Sequence, residues 1–180
     1  MNMESDRIEP TGNDFSERVQ LAQVWPQPPL EIVLVEPQIP PNTGTIARLC
    51  AASGSRLHLV EPLGFRLTSQ QLKRAGLDYW ESVDITRHRN LDEFLQAHTS
   101  RRMFLYSTRA VRKYTSAVYR PGDMLLFGSE TSGLPAALMS THADSVYGLP
   151  MRLDHVRSLN LACSTAIVLY EALRQIDCAS

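Results

Sequence analysis

Three polar clusters in this 180-residue chain carry residue types suited to holding an anion, a cofactor or a reacting group. The first is PNTGTIARL, residues 41–49. Asn42 stands where an N-cap would, Gly44 opens the backbone to close approach, and Arg48 brings a permanent positive charge six residues on. Free N–H groups at a helix start, together with the helix dipole, favour a negative group. The second is FGSETSGLP, residues 127–135, where Gly128 and Gly133 flank Ser129, Glu130, Thr131 and Ser132 directly after an apolar run. No GK[ST] follows the glycines, as a phosphate loop requires, and the GxGxxG spacing of a dinucleotide fold is absent. The third is YGLPMRLDHVRSLNLACS, residues 147–164. Leu149 and Leu159 offer apolar walls there, and the loop between them offers backbone donors and acceptors, the mixture found in cofactor pockets.

Other chemistries are disfavoured. Cys50, Cys163 and Cys178 make an odd set without CxxC spacing, which argues against a disulfide framework or a zinc knuckle. His58, His88, His98, His142 and His155 show neither HxH nor HExxH spacing, so no metal is expected. No apolar run approaches the ~20 residues needed to cross a bilayer. The opening MNMESDRIEP is too acidic and polar for a signal peptide. The expectation is a cytoplasmic protein that makes no membrane contact.

The elements that must position the clusters can be read from periodicity. Residues 1–29 are polar, unpatterned and end in WPQPP, so a disordered leader is expected, followed by one domain over 30–180. Apolar runs at 30–36, 56–61, 102–108, 123–128 and 145–150 read as strands, with a weaker one near 83–85. Between them, helices are expected from Asn42 to a stop at Gly54, over 68–76 behind Thr68, over 91–98 behind Asn90, and from Pro135. Strands alternating with helices predict an α/β domain, a mostly parallel sheet flanked by helices. A last helix, capped by Ser158 or Asn160, has an apolar stripe at 159, 162, 163, 166, 167, 170 and 173. Leu161, Val168 and Leu169 add a second apolar face. A helix apolar on two faces predicts a subunit interface, a two-fold dimer in the commonest arrangement.

Charge is uneven. The net charge of −1 conceals a surplus of six positive charges in residues 56–120, and sixteen of the eighteen basic residues are arginine. Arginine's planar fork suits phosphate and base stacking, although a solvated charged face gives the same composition.

Taken together and in this order, NTGTIAR, FGSETSGLP and LPM…RSLNLACS resemble the three motifs of the SPOUT superfamily of RNA methyltransferases, over Leu30–Ile176. EPQIPPNTGTIARLCAASG and RAGLDYWE are similar to its tRNA (cytidine/uridine-34-2′-O)-methyltransferase subfamily. The resemblance implies a SPOUT fold with a C-terminal trefoil knot, and an obligate homodimer with S-adenosyl-L-methionine bound in the knot and released as S-adenosyl-L-homocysteine. It implies methyl transfer to the ribose of the wobble nucleotide, C34 or modified U34, in the tRNA anticodon stem-loop, leucine isoacceptors being the expected substrates. It assigns cofactor contacts to Tyr106, Gly128, Leu149, Ser158 and Leu159. Arg48 matches the catalytic arginine and also an RNA contact, Asn42 would orient Arg48 or the ribose, Glu130 would brace the cofactor loop, and Tyr170 matches a position linked to tRNA recognition. The arginine-rich stretch with Tyr79, Trp80, Tyr114 and Tyr119 becomes the expected RNA surface. The competing readings are a 2′-O-methyltransferase of ribosomal RNA or another tRNA position, and a catalytically silent RNA-binding module of the same fold.

Overall fold

The first strand, β1 (Glu31–Val35), is buried along its whole length, because parallel sheets covered on both faces bury both sets of alternating side chains. The computed structural model describes residues 21–66, 83–152 and 154–179. The helix expected over 68–76, with Lys73, Tyr79 and Trp80, lies outside these residues, as do positions 1–20 of the expected leader.

The chain continues through α1 (Pro40–Ser53), β2 (Arg56–Val60), β3 (Ile85–His88), α2 (Leu91–Ala97), β4 (Met103–Tyr106), β5 (Arg112–Lys113), β6 (Met124–Phe127), α3 (Ala136–Thr141), β7 (Val146–Gly148) and α4 (Leu161–Cys178). The seven strands lie in the order β3-β2-β1-β6-β4-β7-β5, and every pairing is parallel. Strand β6 is thus inserted between two strands made earlier in the chain. Alternate residues of the central strands feed two cores. Ile32, Leu34, Leu125 and Phe127 face α1 and α4, while Val33, Val35, Met124 and Leu126 face α2 and α3. Each such side chain contributes roughly 1.5–3 kcal/mol on burial. Among the described residues, no helix is long and apolar enough to cross a membrane.

Helix ends follow their local sequence signals at some positions and depart from them at others. Gly54 closes α1 in the left-handed region at φ 65°, and Asn90 caps α2 by accepting from Glu93 N–H at 2.8 Å. Asn42, however, is not an N-cap. Pro40 and Pro41 already form the first turn of α1, where a missing N–H costs nothing, so Ile39 is the cap and Asn42 lies inside the helix. Pro135 likewise is the N-cap of α3 rather than its first residue.

The buried face of α4 draws on both apolar stripes. Leu161, Val168, Leu169, Ala172, Leu173 and Ile176 are the buried set, packed on α1 and the sheet. Of the first stripe, Ala162 and Leu173 are buried, while Leu159, just before the helix, and Ile167 and Tyr170 are exposed at 36%, 41% and 51%. The described part of the leader, residues 21–29, forms no helix or strand, but Val24 N–H donates to Asp177 near the end of α4 at 2.8 Å. Glu31, almost fully buried, is held by His58 and Arg101. Burial pushes its carboxyl up, but those two hydrogen bonds outweigh it and hold it at about 2.

Candidate functional site

A cleft of about 700 Å³ opens at the carboxyl ends of β4, β6 and β7. Ligands in open α/β sheets bind at this rim, because the loops there are free to diverge while the strands beneath stay fixed. Ser107, Thr108 and Arg109 enter it after β4, residues 128–134 after β6, and Leu149 and Met151 after β7. The start of α1 and the approach to α4 close the remaining sides through Ile39, Asn42 and Arg157–Leu161.

The loop after β6 is tightly built. Gly133, at φ 71°, returns its N–H to Ser129 C=O at 2.9 Å, and Ser129 Oγ lies 2.7 Å from Ser132 Oγ. The turn passes so close to Gly128 that a Cβ there would lie 2.0 Å from Gly133 C and 2.1 Å from Leu134 N. Only glycine fits.

Glu130 is the anion held at the start of α1, by N–H groups just before the first cluster and by the Asn42 side chain. Its Oε2 accepts from Gln38 N–H at 2.8 Å, and its Oε1 accepts from Ile39 N–H at 3.3 Å and from Asn42 Nδ2 at 2.8 Å. Asn42 Oδ1 in turn accepts from Asn160 Nδ2 at 2.9 Å, and Asn160 Oδ1 caps α4 by accepting from Ala162 N–H at 2.8 Å. Three stretches far apart in sequence are tied by one hydrogen-bonded line. Asn42 orients Glu130 and Asn160, a partnership that spacing alone did not suggest. Asn160 was legible only as a helix cap, and no motif marked Arg109 as a cleft residue.

Tyr106 is 6% exposed, and its hydroxyl lies 2.8 Å from that of Tyr119. Burial and the neighbouring phenol push its ionisation far above the usual range, so the group stays protonated. Tyr119 is only 5% exposed and donates onward to Tyr114 C=O at 3.0 Å. It is a core residue, not the stacking platform expected of it. Cys50 is buried and its thiol is pushed up to about 12, an inert packing residue.

Seven of the nine expected site residues border the cleft: Asn42 and Tyr106 from early elements, Gly128 and Glu130 from the β6 loop, and Leu149, Ser158 and Leu159 from the last segment. The other two do not. Arg48 is exposed further along α1, and Tyr170 is on the exposed face of α4. Many arginines of 56–120 face acids: Arg56 pairs with Asp84, Arg87 with Glu61, Arg89 with Glu93, Arg102 with Asp123 and Arg112 with Asp144. Asp123 is buried, whereas the other four pairs are exposed or half-exposed, worth only ~0–1 kcal/mol each, so a phosphate can displace those cheaply.

The model of the SpoU rRNA Methylase family matches residues 29–170. A tRNA (cytidine(34)-2′-O)-methyltransferase from Escherichia coli (strain K12) is 46% identical over 148 residues, covering 82% of this chain and 94% of that protein. A solved structure described as "Structural insights into the 2-OH methylation of C/U34 on tRNA" superimposes with a TM-score of 0.76 at 46% identity, over 81% of this chain and 95% of the other. An AdoMet-bound rRNA methyltransferase from Sinorhizobium meliloti superimposes with a TM-score of 0.72 at 28% identity, over 81% of this chain but 56% of that one.

Proposed function

The chain belongs to the SpoU rRNA methylase family, and on that premise we propose that it transfers a methyl group from S-adenosyl-L-methionine to the ribose 2′-hydroxyl of nucleotide 34 in tRNA. The observation that carries this reading is the meeting of three clusters in one cleft, with Asn42 and Asn160 bonded across 118 positions of sequence. The cleft fits such a cofactor. Its volume lies in the ligand-binding range, Leu149 and Leu159 give apolar walls, and the turn at Gly128 brings backbone to the rim.

In this reading Leu149, Leu159, Tyr106 and the backbone at Gly128 and Ser158 hold the adenosyl portion. When bound, the cofactor supplies a methyl group on a sulfonium, so no covalent enzyme intermediate is required. The protein's task is to align the hydroxyl and to stabilise the oxygen as its proton leaves. A guanidinium is a donor and not a base, so Arg48 acts as positive charge and phosphate clamp, and the proton passes to phosphate or water. Asn42 and Glu130 are positioning residues that fix the loop after β6 against α1 and α4.

The reading includes a two-fold homodimer through the exposed stripe Ile167 and Tyr170 of α4, with Arg48 serving a cleft completed by the partner subunit. The exposure of that stripe and the location of Arg48 outside its own subunit's cleft support it. A C-terminal trefoil knot is the corresponding backbone arrangement, in keeping with the insertion of β6 between β1 and β4. Residues 30–180 form the catalytic domain, located in the cytoplasm, and the anticodon stem-loop of leucine tRNA is the substrate to try first. The ribosomal-RNA reading is weaker, since 46% identity accompanies the position-34 enzyme and 28% the ribosomal one.

The test is methylation of tRNA transcripts by the purified protein, followed by nuclease digestion and mass spectrometry of the fragments. A 2′-O-methyl mark on nucleotide 34, lost when that ribose is replaced by deoxyribose, is the expected result. A mark elsewhere, or on ribosomal fragments alone, overturns the substrate. Failure to bind either cofactor or its demethylated product in calorimetry selects the silent module.

A further inference from the structure

On the sheet face that carries α2, three histidines pack around Phe94 with a carboxylate bonded to one of them, and none of the four lines the cleft. His58 from β2 lies with Nε2 2.9 Å from Glu31 Oε2 and Nδ1 2.9 Å from His88 Nε2. His98, the C-cap of α2, has Nδ1 2.8 Å from Phe94 C=O. Glu31, His58 and His88 are 2%, 5% and 6% exposed.

The proton positions follow from the partners. A carbonyl only accepts, so His98 carries its proton on Nδ1 and presents Nε2 as a lone pair. Glu31 Oε1 accepts from Arg101 at 2.8 Å and faces Arg56 at 3.7 Å, which leaves Oε2 to His58. Glu31 Oε2 only accepts, so His58 donates to it from Nε2–H, and a metal ion bound to both atoms would take the place of that proton. One ligand atom each from Glu31, His58 and His98 lies within 4.8 Å of the others.

We infer that Glu31, His58 and His98 form a binding site for a divalent transition metal of the zinc class, clamping β1, β2 and α2 together. Two imidazoles and a carboxylate are a donor set suited to zinc. Each ligand already has the outer partner that such sites use to fix tautomer and orientation. Phe94 C=O holds His98, Arg101 holds Glu31, and His58, as a neutral ligand through Nε2, would carry its proton on Nδ1 and donate it to His88 Nε2. Ligand bonds of about 2.0–2.2 Å place donor atoms roughly 3.4 Å apart. The Glu31–His58 pair is already at 2.9 Å, so the closure falls on His98, which is half-buried at a helix end. The clustered ligands come from positions 31, 58 and 98, a separation no local histidine motif could register.

The test uses the full chain carrying Cys163→Ser and Cys178→Ser, which removes both exposed thiols, stripped with chelator and titrated with zinc chloride by calorimetry. One equivalent per chain should bind saturably and raise Tm, and cobalt(II) should give the visible absorption of a four-coordinate site. His98→Ala should weaken zinc by at least the roughly 10–100-fold that loss of an outer partner costs. His155→Ala, at an exposed histidine, should bind normally. No saturable binding by the parent chain, or unchanged affinity in His98→Ala, overturns the site and leaves the cluster as packing only. Neither readout depends on methyl transfer.

Discussion

Asn160, at the head of the last helix, donates to Asn42 through an amide–amide hydrogen bond of 2.9 Å. Its other amide atom caps α4, so the residue has two separable tasks. Asn160→Asp keeps the capping oxygen and loses the donor. It should leave Tm nearly unchanged while weakening cofactor binding about tenfold, the equivalent of one hydrogen bond of ~1.4 kcal/mol. Asn160→Ala should also lose ~1 kcal/mol of stability with the cap. Calorimetry with cofactor beside thermal melts separates the two, and equal effects of both substitutions on Tm would refute the division.

Glu130 accepts three hydrogen bonds, two from backbone N–H and one from Asn42. Glu130→Gln is nearly isosteric but turns one accepting oxygen into a donor facing donors. The expected loss is about 1.5–3 kcal/mol in the free energy of positioning the loop, read as a 10- to 150-fold fall in kcat/KM. Circular dichroism should stay unchanged.

Gly128→Ala places a methyl group 2.0 Å from backbone that has no flexible side chain to yield. The loop must open, so cofactor binding should vanish at millimolar concentration even where the chain still folds. Retained binding would show that the turn relaxes.

Arg48→Lys keeps the charge of this exposed residue on α1 but not the planar fork. Single-turnover methyl transfer should fall by more than about tenfold with cofactor affinity intact. Near-normal turnover would mean that charge alone suffices.

Ile167→Asp puts a carboxylate into the exposed apolar stripe of α4. Light scattering should show a dimer for the parent chain and a monomer for the variant. Cys163, exposed on the single chain, should then react faster with a thiol reagent. The same mass for both proteins would remove the proposed interface.

What the sequence disclosed follows from how local each signal is. Residues 30–36, apolar at both odd and even positions, mark a doubly covered parallel strand, and Asn90 and Gly54 mark helix ends through contacts with immediate neighbours. Asn42 misled because Pro40 and Pro41 look like loop yet suit a first helical turn. In α4, counting apolar residues could not tell which stripe meets the sheet, since both are apolar and only packing against α1 decides. β5, two exposed residues Arg112 and Lys113, carries no pattern at all. The cleft's membership was legible from its three motifs, whereas the line from Glu130 through Asn42 to Asn160 depends on which way side chains turn after folding.

The bond between Val24 and Asp177 has a practical corollary. The seventeen steps from Asn160 to Asp177 span about 26 Å at 1.5 Å per helical residue. A fluorophore or surface tether joined near either of these two positions would therefore emerge beside the other, a full helix length from the mouth that admits the nucleotide. Immobilised enzyme prepared this way should keep its entrance facing solution.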